Sequence, residues 1–387
     1  MSVRWRIDVG DCRERLGDLE ASSVHTCVTS PPYFGLRDYG TASWEGGDPN
    51  CEHTEVEGAR RTPWANQVPG PAGKSGKNAS FRNETKETGG RCTGCGAERV
   101  DRQIGHEPTP DEFVEATVSV FREVRRVLAD DGTLWLNLGD SYAGSWGAQG
   151  KRVSPGEISR NQIRNHPKRP SRTGTIAAGS GLKPKDLMGI PWMVAFALRA
   201  DGWYLRSEVI WHKPNPMPES ITDRPTKSHE QIFLLSKSLR YYYDAEAIRE
   251  RDSGLPAGNG FAGRQGGSRQ TTIDDGKGTE ETWEPGRGRN KRTVWTVPTK
   301  PYTGAHFATF PPDLIEPCVL AGAPEGGVVL DPFAGAGTTG LVALRHGRSF
   351  VGIELNPAYA EIARHRIRDD APLLNAPAEE VADRRAA

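Results

Sequence analysis

The sequence predicts an α/β fold built on a mainly parallel sheet whose strands are taken in circularly permuted order. Three observations carry this. Val328–Asp331 is an apolar strand that runs into a glycine-rich loop, Asp331-Pro332-Phe333-Ala334-Gly335-Ala336-Gly337-Thr338-Thr339-Gly340, and then into a helix. In that arrangement glycines let the backbone approach a ligand and the helix N-terminus offers free N–H groups. Glu354 ends the next strand, 23 residues after Asp331, where an acid can hold both hydroxyls of a ribose. From Val328 onward there are 60 residues, room for two strands and two helices, whereas a nucleotide-binding sheet needs about five or six strands. The others must come from earlier in the chain, which makes the fold a circularly permuted Rossmann-like one.

In chain order, residues 4–8 read as a short strand and 11–19 as a helical turn. Val24–Thr29 is a β-rich run stopped by Ser30-Pro31-Pro32. Thr109-Pro110-Asp111-Glu112 has the pattern of a capping box with proline in the first turn. Val114, Val118, Phe121, Val124 and Leu128 follow at helical spacing, and Asp131-Gly132 is expected to end the helix. Residues 133–138, 203–211 and 231–235 read as strands and 187–199 as a helix. Leu314, Ile315, Cys318 and Ala321 share one face of another helix. After the glycine-rich loop come a helix at 338–346, a strand at 349–353 and a helix at 357–367. The permuted order makes 4–8 the third strand, so Asp11 can reach the adenine end of a nucleotide. Val24–Thr29 becomes the fourth, and Thr29-Ser30-Pro31-Pro32-Tyr33 falls at the carboxyl edge where ligands bind.

Composition narrows the classes. Hydrophobic residues are 35% of the chain, below the roughly 45–50% of globular proteins, so a core is accompanied by much polar loop. Fifty Lys and Arg balance fifty Asp and Glu, which excludes a uniformly basic nucleic-acid binder but not a local basic patch. The longest apolar stretch, 190–198, is short of the ~20 residues of a membrane span. The first residues lack the apolar region of a secretory signal, and six cysteines are too few for a disulfide scaffold. A reducing, cytoplasmic setting is expected.

Gly335, Gly337 and Gly340 also satisfy G-x-G-x-x-G, so a dinucleotide oxidoreductase is a competing reading. It leaves Thr29–Tyr33 without a role. A non-enzymatic DNA-binding module would account for basic stretches but for neither motif.

Asp-Pro-Phe-x-Gly-x-Gly-Thr at 331–338 and Thr-Ser-Pro-Pro-Tyr at 29–33, in this order, resemble the β-group of amino-methylating DNA methyltransferases. The resemblance covers roughly residues 4–45, 107–142, 182–250 and 295–370. It implies an S-adenosylmethionine-dependent methyltransferase fold and a soluble bacterial or phage enzyme, monomeric or homodimeric. Its partner would be double-stranded DNA, methylated at cytosine N4 or adenine N6 in a site-specific, restriction-modification setting. His306-Phe307-Ala308-Thr309-Phe310-Pro311 resembles the family segment lining the methionine end of the cofactor. The expected cofactor residues are thus Asp11, His306, Thr309, Asp331, Phe333, Gly335, Gly337, Thr338, Thr339 and Glu354. An RNA or protein methyltransferase with the same cofactor fold stays open.

The expected catalytic residues are Ser30, Pro31, Pro32 and Tyr33. An exocyclic amino nitrogen is a poor nucleophile because its lone pair is delocalised into the ring. Ser30 Oγ and the Pro31 carbonyl can accept its two N–H groups and pull the nitrogen toward a tetrahedral shape. The prolines stiffen the loop, and Tyr33 can stack on a base taken out of the helix. In the family, serine at the first motif position goes with cytosine and aspartate with adenine, so cytosine N4 is preferred and adenine N6 is the alternative. Pro317-Cys318 has the form of the nucleophile of C5-cytosine methyltransferases, but its helical pattern favours a buried core cysteine.

Cys51-x-His53 and Cys92-x-x-Cys95-Gly96 make a four-ligand set with zinc-knuckle spacing. They lie in a polar insertion that a structural zinc could fold; free thiols and a redox pair are the alternatives. Residues 144–185 carry nine Lys or Arg against one acid, a net +8. Arg287, Arg289, Lys291, Arg292 and Lys300 form a second cluster. Both could contact DNA phosphates and bases, or be solvated linkers. The expected organisation is catalytic core at 1–47, 107–143 and 186–250, a zinc insertion at 48–106 and a basic loop at 144–185. A target-recognition region follows at 251–300, the cofactor-binding part of the core at 301–370, and a tail at 371–387.

Overall fold

The structure, a computed structural model, describes residues 4–35, 41–53, 91–92, 94–107, 109–143, 182–183, 185–250, 288–300 and 309–370. An eight-stranded sheet runs in the order β1-β10-β9-β2-β5-β7-β6-β8. Its strands are β1 (Trp5–Val9), β2 (Val24–Thr29), β5 (Leu128–Leu138), β6 (Tyr204–His212), β7 (His229–Ser236), β8 (Val294–Thr296), β9 (Val328–Asp331) and β10 (Ser349–Glu354). β3 (Ser43–Glu45) and β4 (Glu98–Val100) form a separate antiparallel hairpin. The helices are α1 (Cys12–Gly17), α2 (Pro110–Val127), α3 (Ile190–Ala200), α4 (Pro312–Gly322), α5 (Thr338–Arg345) and α6 (Pro357–Asp370).

The permutation is visible in the pairing. β9, near the C-terminus, lies inside the sheet, parallel to β10 on one side and to β2 on the other. β1 pairs in parallel with β10, and β5 with β2. β7 runs antiparallel to β5 and β6.

Alternation along the strands sorts side chains onto two covered faces. Cys27, Leu134, Leu136, Phe233 and Leu330 join one core with Leu16, Phe113, Phe121, Val194 and Leu198 of α1, α2 and α3. Their neighbours Val28, Trp135, Ile232, Leu234 and Val329 face a second core with Leu314, Cys318, Val342 and Ile367 of α4, α5 and α6. Among the described residues no helix is long and apolar enough to cross a membrane.

The main departures from the sequence reading concern α2, α3 and β8. α2 is capped as expected, Thr109 Oγ1 accepting from Glu112 N at 3.2 Å, but it stops at Val127. Leu128 is already extended (φ −66°, ψ 139°) and pairs with Val24, so residues before Asp131-Gly132 belong to the strand. α3 begins at Ile190 rather than 187. Gly189 is left-handed there, and the distant Asp140 carboxylate accepts from Gly189 N at 3.0 Å and Ile190 N at 3.2 Å. β8 is a strand that was not expected, and it lies in the stretch assigned to target recognition.

Most of residues 144–185 and 251–300 lie outside the described residues. Lys183 and Lys185 pair with Asp186 and Asp223, Arg289 and Arg292 with Glu250, and Lys300 with Asp313.

Candidate active site

The carboxyl ends of β1, β2, β9 and β10 open onto one cavity of about 320 Å³. Parallel strands place their following loops at this edge, and a switch in strand order leaves a crevice there. Ser30, Pro31, Pro32 and Tyr33 follow β2. Phe333, Gly335 and Thr338 follow β9, Glu354 ends β10 and Asp11 follows β1. All of these, with Thr309, line the cavity.

The glycine-rich loop is held from several sides. Gly337 is the left-handed N-cap of α5 (φ 74°), and a Cβ on it would meet the Ala363 Cβ at 2.9 Å. Arg366 of α6 donates to Ala336 O at 3.1 Å and to Thr338 Oγ1 at 2.8 Å. Glu354 accepts from Gly335 N at 2.8 Å and Asn356 N at 2.9 Å. Burial pushes its carboxyl upward, against those backbone bonds and with the charge of Asp331 adding to the rise.

Asp331, Thr339 and Gly337 stand behind the cavity, outside its lining. Asp331 is 2% exposed. Its Oδ1 accepts from Thr29 Oγ1 at 2.6 Å and Phe333 N at 3.0 Å, and its Oδ2 from Thr339 Oγ1 at 2.6 Å. Burial pushes its carboxyl up to about 6 in spite of these bonds. Asp331 thus ties the residue before Ser30 to the cofactor loop. Asp11 caps α1 and is clamped by its neighbour. Arg13 Nε lies 2.9 Å from Oδ1 and Arg13 Nη2 2.5 Å from Oδ2. Burial would raise Asp11, but the Arg13 hydrogen bonds and charge hold it below its ordinary value. His306 lies outside the described residues.

A polar network beside Ser30 was not legible in the sequence. Tyr33 Oη donates to Glu230 Oε2 at 2.7 Å and accepts from Asn137 Nδ2 at 2.9 Å. Asn137 Nδ2 also lies 3.4 Å from Ser30 Oγ, and Lys213 is ion-paired with Glu230. Glu230 reaches the cavity because β7 is antiparallel, so its first residues sit at the carboxyl ends of its neighbours. A carboxylate at the start of a mostly apolar strand was the available signal. Gly139, just past β5, leaves room for the motif ring: a Cβ there would fall 2.4 Å from Tyr33 Cε2.

Two other candidates resolve differently. Cys318 is fully buried in α4, does not line the cavity, and burial pushes its thiol far up, which disfavours the thiolate a nucleophile needs. Cys51, His53, Cys92 and Cys95 come together, their ligand atoms all within 4.8 Å of one another.

The cavity therefore joins a nucleoside-sized pocket with a half-buried acid to a rigid Pro-Pro loop carrying a hydroxyl, a carbonyl and an aromatic ring. Comparison with known proteins agrees with this combination. The N6/N4 methyltransferase family profile, described as DNA methylase, matches residues 24–365. The type II methyltransferase M.Cfr9I of Citrobacter freundii is 41% identical over 362 residues, spanning 93% of this chain and 87% of that protein. M.SmaI of Serratia marcescens is 40% identical over 362 residues, spanning 94% and 90%. Among solved structures, the PvuII DNA methyltransferase, described as cytosine-N4-specific, superposes with a TM-score of 0.52 at 15% identity, covering 97% of this chain and 93% of that one. At that identity the likeness speaks to fold alone.

Proposed function

This chain belongs to the N6/N4 DNA methylase family, and we propose that within it the enzyme methylates N4 of cytosine in a specific duplex site. It is a type II DNA methyltransferase, and its methyl donor is S-adenosylmethionine. The cavity fits that donor: its volume lies in the range of small-ligand pockets, Glu354 offers a half-buried acceptor to a ribose, and Phe333 and Pro332 supply apolar wall. Glu354, Gly335, Thr338 and Thr309 would hold the donor, with Asp11 at the adenine end. S-adenosylmethionine, when bound, supplies an electrophilic sulfonium methyl group.

The chain's own residues prepare the amine. Ser30 Oγ and the Pro31 carbonyl accept its two N–H groups and return lone-pair density to the nitrogen. Tyr33, its hydroxyl anchored on Glu230 and Asn137, offers a ring held in place before a base arrives. Positioning of this kind carries much of the catalysis when no covalent enzyme intermediate forms. The latch from Asp331 to Thr29 keeps the catalytic loop and the cofactor loop in register.

The observation that carries the choice of base is Ser30. A neutral hydroxyl opens the motif where the adenine-type motif has a carboxylate. Adenine N6 is the runner-up. Mass spectrometry of nucleosides from mixed-sequence duplex DNA, after reaction with the enzyme, tests it. N4-methylcytosine is expected; N6-methyladenine as sole product would give the runner-up, and 5-methylcytosine would reject amino methylation. We further propose that residues 251–300 read the target sequence and that the basic stretch at 144–185 contacts phosphates. Long-read modification sequencing of DNA from cells expressing the chain would report the site.

A further inference from the structure

We propose that Cys51, His53, Cys92 and Cys95 bind one zinc ion tetrahedrally, and that this ion, by fixing the β3–β4 hairpin, builds one wall of the cofactor cavity. The hairpin is short, three residues a side, and its strand residues are exposed or half-buried. Apolar burial alone cannot hold so small an element, yet it carries these four side chains in one cluster.

The distances are those of a metal site. Cys51 Sγ and Cys92 Sγ are 3.7 Å apart, and Cys95 Sγ is 3.4 Å from His53 Nδ1. With Zn–S bonds of about 2.3 Å and Zn–N bonds of about 2.0–2.1 Å, a tetrahedron has S···S edges of about 3.8 Å and S···N edges of about 3.5 Å. A disulfide would need about 2.05 Å, and all three cysteines are free. Three sulfurs and one imidazole are a soft donor set that suits zinc and not calcium or magnesium.

The surroundings are built around the sulfurs. Cys92 N–H donates to Ala97 O at 2.7 Å and Gly96 N–H to Cys92 O at 2.8 Å, closing a tight turn. A Cβ on Gly47 would come within 2.7 Å of Cys95 Sγ. The His53 ring stacks on Trp44 of β3, centroids 5.0 Å apart. Outer partners of this kind orient metal ligands.

The hairpin is tied to the cavity on both sides. Thr41 precedes β3 and Arg102 and Gln103 follow β4, and all three line the cavity. Arg102 bridges Glu45 of β3 at 3.0 Å and Glu14 of α1 at 2.6 Å, and Arg13, which clamps Asp11, donates to the Arg102 carbonyl at 3.1 Å. Thr41 Oγ1 donates to Asp101 at 3.2 Å. Without the ion, the hairpin loses its anchor and these wall residues lose theirs. This coupling rests on reading the cavity as the methyl donor's.

Enzyme purified without chelator should contain one zinc per chain by elemental analysis. Cobalt(II) in its place should give the visible absorption of a tetrahedral thiolate site. Stripping the metal should weaken S-adenosylhomocysteine binding in calorimetry by about tenfold, a change of about 1.4 kcal/mol, and one equivalent of zinc should restore it. Cys92→Ser should lose the metal and show the same weakened binding, whereas Glu354→Ala should bind weakly with its zinc retained. No bound zinc, or an octahedral cobalt spectrum, would overturn the site. Equal affinity in stripped and refilled enzyme would overturn the coupling. If even the zinc-loaded enzyme bound nothing, the coupling would fall with the cavity's assignment, and the zinc count distinguishes that case.

Discussion

Replacing Asp331 with asparagine should stabilise the enzyme at pH 7 and remove a pH dependence. The carboxyl is buried among Thr29, Thr339 and the Phe333 N–H, and burial lifts it from 3.8 to about 6. At about 1.4 kcal/mol per pH unit, an ionised Asp331 at pH 7 costs the folded state about 3 kcal/mol relative to the protonated group. The sign follows from the raised value. The folded state holds the proton more tightly than the unfolded chain, so the favourable contribution is complete below pH 3.8 and is lost as pH rises through about 6. Between pH 5 and 7 the loss amounts to about 1 kcal/mol.

Asparagine fits the same bonds. Its oxygen can accept from Thr29 and Phe333, as Oδ1 does now. Its amide can donate to Thr339 Oγ1, which is already 3.2 Å from the Val28 carbonyl and can turn its proton there. Melting temperatures of both proteins from pH 5 to 7 test this. Wild type should lose about 1 °C relative to Asp331→Asn over that interval, since a chain of this length melts with a large entropy change. The other raised carboxyls are common to both proteins and cancel in the difference, while Glu354, which feels the Asp331 charge, adds to it with the same sign. Parallel pH profiles, or a variant less stable than wild type at pH 7, would refute the argument.

Tyr33→Ala should lower turnover by about 100-fold or more through loss of the ring that positions the base, with cofactor affinity nearly unchanged in calorimetry. Glu354→Ala should do the reverse. Removing the ribose acceptor costs about 1.5–3 kcal/mol, or roughly ten- to a hundredfold in S-adenosylmethionine affinity by titration. Gly139→Ala drives a methyl into the Tyr33 ring. It should reduce kcat with the cofactor dissociation constant held, and cost about 1–3 kcal/mol of stability in urea unfolding.

Local chemistry in the chain determined the strands, the cofactor loop and the catalytic loop. Val328–Asp331 and its glycines, and Val24–Thr29 ending at Pro31-Pro32, are legible because strand propensity and turn residues act over a few neighbours. Counting residues after Val328 was enough to infer the permuted order, which the sheet displays with β9 between β10 and β2. The Cys51, His53, Cys92 and Cys95 spacing likewise announced a cluster that the fold brings within 4.8 Å. What only the tertiary structure decided are the contacts between distant segments. Asp331 reads as a ligand-binding acid in the motif but is turned inward by Thr339 of α5 and by Thr29, which faces it only once β2 and β9 are paired. Asp11 has an adjacent arginine, yet nothing in the order of residues tells that Arg13 folds back onto it. Glu230 and Asn137 join Tyr33 because β7 runs against β5, and the direction of a strand is set by its partners and not by its own residues.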